Sequence, residues 1–208
     1  MSDLEIYNLI YGSLQVLRSS SSQSALLFIF ADWRHILELT AAGKQLGLAL
    51  ANICVWVKPR SGHGEDGSRH EFVAVFKARA ESNRNNITLG KLGRNRSNVW
   101  EYDAPGLAED PPGVQNTVKP VAMLADILRD CTKRGDLVID TFLGTGSTLI
   151  AAEKIGRACV GIELDPFLVD VSIARWQAVT GRNAVHRGTG QRFDDMARPL
   201  LPGVRHVG

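Results

Sequence analysis

The chain has 208 residues, 44% of them hydrophobic, and a formal net charge of +2, so it can bury a full core without disulfide or metal staples, and so small an imbalance identifies no partner by itself. No apolar run approaches the ~18 residues a bilayer span needs, and the start MSDLEIYNLI lacks the basic residues and cleavage site of a secretory signal. A cytoplasmic protein with no membrane partner is expected, its three cysteines (Cys54, Cys131, Cys159) too scattered for a CxxC pair and therefore reduced and structural.

In chain order, Asp3 to Leu17 places apolar residues at Leu4, Tyr7, Leu9, Ile10, Tyr11 and Leu14, the spacing of an amphipathic helix, and the polar tract SSSSQS after Arg18 stops it. Ser24 to Phe30 is a short continuous apolar run that predicts a strand covered on both faces, and Asp32 to Gly47 returns to helical spacing. Asn52 to Lys58 and Glu71 to Lys77 are rich in β-branched and aromatic residues and predict a strand pair around the charged, glycine-rich loop Pro59 to His70. Ala78 to Gly113 has little periodicity and many turn formers, so it reads as a long surface excursion. Pro120 to Lys133 predicts a helix and Leu137 to Asp140 a strand.

The stretch VIDTFLGTGSTLIAAEKIGRACVGIELDPF, from Val138, then reads as strand, glycine turn, helix, strand and acidic tip. Ser147 is the expected cap of a helix to about Ile155 with Gly156 at its end, and Asp165-Pro166 repeats the device for the next helix. Gly144 and Gly146 let backbone approach a ligand closely, and Glu163 stands at the second strand's tip, where a carboxylate accepts bonds from ribose hydroxyls. A nucleoside cofactor is implied. Nicotinamide dinucleotides fit poorly: the third glycine of GxGxxG is absent, Leu149 standing in its place, and Asp140 would repel a pyrophosphate while favouring a cationic amino-acid tail. That pattern suits S-adenosylmethionine.

The segments TVKPVAML, GDLVIDTFLGTGSTLIAAEKIG, CVGIELDP and RWQAVTG, with ADWRHI, NICVWVK, SRHEFVAVFK and LGRNRSNVW upstream, resemble β-class DNA amino-methyltransferases, which methylate adenine N6 or cytosine N4. The resemblance covers nearly the whole chain. It implies an α/β, Rossmann-like methyltransferase sheet of order 3-2-1-4-5-7-6, with the chain as one domain, 1–208. Its parts are a strand and helix half, 1–77, a basic DNA-contact excursion, 78–116, a cofactor-binding half, 117–182, and a tail, 183–208. The family turn DPFxGxGTT appears with Thr141 for proline and Ser147 for the first of its closing threonines, and HPTxKP survives as Thr117, Lys119 and Pro120. The implied cofactor residues are Thr117, Lys119, Asp140, Phe142, Gly144, Thr145, Gly146, Thr148, Glu163 and Asp165.

The family's catalytic tetrad is an Asp, Asn or Ser followed by Pro-Pro and an aromatic residue; it accepts bonds from the target amino group and stacks on the flipped base. The one similar string, Asp110-Pro111-Pro112-Gly113, lacks the aromatic residue and reads as loop chemistry, a decoy. The tetrad is expected ahead of the matched segment, so the sheet is expected to lack its central strand. Either its halves close on each other, or a partner strand fills the slot, or the chain is a fragment of a longer product. Activity of the chain alone is therefore in question.

Double-stranded DNA is the expected partner of the excursion, where Lys77, Arg79, Arg84, Lys91, Arg94 and Arg96 face a single acid, Glu81. Lys91, Arg94, Asn95 and Arg96 are the implied contacts, with Trp100 either stacking on a base or anchoring the loop by packing. His35 is expected mid-helix, His70 at a strand start, and neither they nor His63, His186 and His206 have catalytic or metal spacing. No metal is expected, because methyl transfer from a sulfonium is a direct displacement. The two readings carried forward are a DNA amino-methyltransferase, whole or truncated, and an inactive cofactor- or DNA-binding module working with a partner.

Overall fold

A capping box starts the first helix: Ser2 Oγ accepts from the Glu5 amide at 3.4 Å while Glu5 Oε2 accepts from the Ser2 amide at 2.7 Å. In the computed structural model, which describes residues 2–58, 68–79, 97–103 and 118–196, this helix, α1, runs Asp3–Ser20. It outlasts the predicted stop because Ser19 Oγ bonds back to the Val16 carbonyl at 2.9 Å, which absorbs the serine hydroxyl inside the helix. The chain divides into two compact units, Met1–Ala104 with Arg129–Thr132, and Pro105–Leu128 with Lys133–Gly208.

The first unit is a four-stranded sheet with helices packed on it. Its strands are β1 (Leu26–Ala31), β2 (Ala49–Val57), β3 (His70–Lys77) and β4 (Val99–Glu101), in the order β1-β3-β2-β4. β3 runs antiparallel to both neighbours, the pairing with β2 that the composition predicts, and β4 lies parallel to β2. Central β3 is the strand covered on both faces: Val73, Ala74, Val75 and Phe76 are each 6% exposed or less. β1, expected in that role, is only half-buried along most of its length. Helix α2 (Ile36–Gln45) packs on β2 and β3 and takes α1 on its other side, burying Leu14 and Leu39. Gly43 makes the close approach possible, since a Cβ there would stand 2.5 Å from Phe76 Cε1.

The second unit holds α3 (Val121–Cys131), whose last residues fall in the first unit, and the parallel pair β5 (Leu137–Asp140) and β6 (Ala158–Gly161). α4 (Ser147–Lys154) crosses between these strands and packs on β6 and on α5 (Pro166–Thr180); α6 (Phe193–Met196) follows. The described strands thus form two sheets. Within the expected order, β1-β3-β2 reproduces the 5-7-6 end and β5-β6 the 1-2 pair. No described helix is long and apolar enough to cross a membrane.

Candidate functional site

The turn between β5 and α4 is shaped by backbone bonds and two left-handed glycines. Asp140 Oδ1 accepts from the Phe142 amide at 3.0 Å, and the Leu143 amide donates to Ile162 O at 3.0 Å, tying the turn to the end of β6. Gly144 has φ +55° with no non-neighbouring atom nearer than 4.0 Å to where a Cβ would be, so its backbone is open to a ligand. Gly146, at φ +83°, has no such space: a Cβ would meet Ser172 Cβ at 2.8 Å. Gly146 is also the N-cap of α4, the place expected for Ser147. Ser147 is instead the first helical residue, and its buried hydroxyl has no partner among the described residues.

Glu163, at the tip of β6, is built as an acceptor. Its Oε2 accepts from the Gly144 amide at 2.7 Å, and its Oε1 from the Leu164 and Asp165 amides at 2.8 and 3.0 Å. Partial burial pushes the pKa up, but the three amide bonds outweigh it and hold the carboxyl below the usual glutamate value. With about four lone-pair sites on a carboxylate, these three bonds leave Oε2 room for another donor. Within β6 itself, burial and then the Asp140 charge push the Cys159 thiol up to about 11, so it is inert at neutral pH, as expected of a structural cysteine.

Other predicted residues serve the site indirectly. Asp165 caps α5, its Oδ1 accepting from the Phe167 amide at 2.9 Å. Thr145 is 4% exposed, its carbonyl and hydroxyl both receiving Arg175 Nη1, at 2.6 and 2.7 Å. Thr145 therefore anchors the turn from behind. Sequence reasoning missed Arg175 and Ser172, which act on the turn from α5, and nothing in their local sequence marks them. It also passed over Ile162 and Leu164, 55% and 96% exposed beside Phe142 at 62%; two apolar residues flanking Glu163 on a strand tip were the available signal. Thr148 is half-buried in α4, and Lys119 half-buried ahead of α3.

The remaining assignments fall elsewhere. Trp100 lies on β4 opposite Trp56, 6% exposed, with its indole N–H on Ser97 O at 3.0 Å. So placed, it is a packing anchor and offers no open face to a base. His35 is the residue before α2, not mid-helix, because Asp32 Oδ1 accepts from the Arg34 and His35 amides and delays the helix. His70 does begin β3, edge-on to Phe72. Thr117, Lys91, Arg94, Asn95, Arg96 and the string Asp110-Pro111-Pro112 lie outside the described residues.

Comparison with known proteins agrees with this geometry. Type II methyltransferase M2.MboI of Moraxella bovis is 24% identical over 187 residues, covering 86% of this chain and 68% of the relative. The structure of the M1.HpyAVI–SAM complex matches with a TM-score of 0.64 at 19% identity, over 79% of this chain and 81% of that one. PvuII DNA methyltransferase, cytosine-N4-specific, gives 0.64 at 16% identity over 80% and 68%. These two likenesses establish the α/β methyltransferase fold. The model of the DNA methylase family N6_N4_Mtase matches residues 2–174, from the first helix through the glycine turn and Glu163, and the chain belongs to that family.

Proposed function

We propose that the chain holds S-adenosylmethionine at the β5–α4 turn and serves methyl transfer to the exocyclic amino group of adenine or cytosine in double-stranded DNA. The observation that carries this reading is the Glu163 carboxylate, ionised and aimed by three amides with one acceptor position left. Ribose hydroxyls suit that position. Asp140, at the end of β5, suits an ammonium, the open backbone at Gly144 suits close approach, and exposed Phe142 offers apolar surface to a base. Thr117 and Lys119 are assigned to the methionine end. When bound, the cofactor would supply an electrophilic methyl group, the amino nitrogen forming a C–N bond and losing a proton as the methyl–sulfur bond breaks and a thioether leaves.

The chain's own residues bind and orient on this reading, and DNA meets Lys91, Arg94, Asn95 and Arg96. The acceptor that makes the amino nitrogen nucleophilic is assigned to a tetrad on an upstream segment, in cis or as a separate piece, or on a partner chain, because Asp110-Pro111-Pro112-Gly113 lacks the aromatic residue that holds a flipped base. The cytoplasm, where DNA is accessible, is the assigned compartment.

Calorimetry tests the cofactor site. S-adenosylmethionine should bind and NAD should not, and Glu163→Ala should cost ~1 to 3 kcal/mol through loss of a charge-assisted bond. Equal affinity for NAD, or an unchanged affinity in the variant, removes the assignment. Tritiated methyl incorporation into unmethylated DNA, with and without an added tetrad-bearing segment, tests the second half; robust turnover by the chain alone, abolished by Asp110→Ala, would make Asp110-Pro111-Pro112 the catalytic element.

A further inference from the structure

The turn after β1 displays an exposed tryptophan beside a charged residue. Four tryptophans occur in the chain, and three are engaged. Trp56 is 1% exposed with its indole N–H on Tyr102 O at 2.9 Å, Trp100 is 6% exposed and bonded to Ser97 O, and Trp176 donates to Glu153 at 3.2 Å beneath the Arg182 guanidinium. Trp33 differs. It is 53% exposed, and its indole N–H makes no hydrogen bond to a described residue. Exposure of one aromatic ring is ordinary by itself, and what sets Trp33 apart is that exposure together with the cation held against it.

Its setting is firm. Asp32 Oδ1 accepts from the Arg34 amide at 3.0 Å and the His35 amide at 3.2 Å, and Oδ2 lies 3.4 Å from Arg34 Nη1. Those bonds fix the backbone that displays Trp33, so little ordering is needed when a ligand arrives. The Arg34 guanidinium sits over the Trp33 ring, 5.0 Å from its centroid, so the cation covers one face of an indole that is otherwise half exposed. An indole face is a surface on which a base stacks, and a guanidinium is a partner for a phosphate. Both β1 and β2 run antiparallel to β3, and β4 runs parallel to β2, so the carboxyl ends of these three strands share one edge of the sheet. In open α/β sheets ligands gather at that edge.

We infer that Trp33 and Arg34 form a DNA contact, Trp33 stacking on a base that is unstacked or at a distorted step and Arg34 meeting an adjacent phosphate. The inference rests on the DNA reading above and adds a contact in the first unit. Leu37, 76% exposed one turn further on, extends the apolar surface; a protein partner covering Trp33 and Leu37 is the competing occupant.

The test measures the full chain on duplex oligonucleotides, one fully paired and one with an abasic gap or mismatch, as a function of salt. Trp33→Ala should weaken binding about tenfold, more on the distorted duplex, while Trp33→Phe retains most of the affinity because a stacking face remains. Arg34→Gln should lower the slope of log affinity against log salt by about one. S-adenosylmethionine titration of each variant, expected to match wild type, serves as the check on folding. Wild-type affinity and slope in all three variants overturn the contact while leaving the DNA reading intact, and absence of DNA binding by the wild type removes both. A Trp33→Ala chain that binds DNA normally but loses self-association in sedimentation assigns the patch to a protein interface and overturns it too.

Discussion

At the scale of single residues, the site depends on groups whose partners are fixed by the backbone. Glu163 is an anion held by three amides, so its folded pKa lies below the ordinary value. The sign follows: the unfolded state takes up the proton first as pH falls, so the stabilisation is complete above the ordinary glutamate range and fades as pH drops through the lowered folded value. Glu163→Gln lacks it, and the gap in melting temperature between wild type and variant should narrow as pH falls through and below the ordinary glutamate range; a gap that widens on acidification would refute the assignment. Arg175 works from the other side of the turn. Arg175→Met removes both bonds to buried Thr145 and leaves its carbonyl and hydroxyl unpaired, an expected cost of ~1 to 3 kcal/mol in denaturant unfolding. The variant should also bind cofactor more weakly, and unchanged stability would show that solvent replaces the guanidinium. Glu163 was legible in the sequence as an acid after a glycine turn. Arg175 was not, because its partner lies 30 residues away on another element.

At the scale of elements, two helix glycines should respond to alanine with opposite signs. Gly12 in α1 has nothing within 4 Å of a would-be Cβ, so Gly12→Ala should stabilise by about 0.5 to 1 kcal/mol through helix propensity alone. Gly43 in α2 faces the Phe76 ring, with Cε1 at 2.5 Å and Cζ at 2.7 Å, and Phe76 is 1% exposed. Gly43→Ala should therefore destabilise by ~1 to 3 kcal/mol despite the better propensity; a shift of both unfolding midpoints in the same direction would refute the packing argument. Most elements were legible from local pattern: α1, the β2 and β3 pair, the α3 helix and the strand β5 all fall where spacing and composition put them. One miss has a local cause and the other a distant one. α2 starts late because Asp32 diverts two amides, and β4 escaped notice because three residues carry no periodicity and acquire their bonds from distant β2.

At the scale of the whole chain, the cofactor turn and its supports belong to one compact unit and the Trp33 turn to the other. Hydrogen exchange should separate them: S-adenosylmethionine is expected to slow the amides of Gly144, Leu164, Asp165 and the β5–β6 pair, and to leave the β1–β3 ladder at its free rate. Equal protection of both units would place the ligand elsewhere or spread its effect over the chain. What the sequence determined by itself is the β5-turn-β6 unit, with Asp140, Gly144, Gly146, Glu163 and the Asp165 cap of α5 in order, because those signals are backbone preferences and hydrogen bonds acting within one short βαβα stretch. Tertiary structure decided which tryptophans are buried and which is displayed, that β3 rather than β1 is the strand covered on both faces, and that Arg175 and Ser172 brace the glycine turn. Those facts depend on which surfaces meet after distant elements pack, and exposure and side-chain pairing of that kind leave no mark on the residues beside them in the chain.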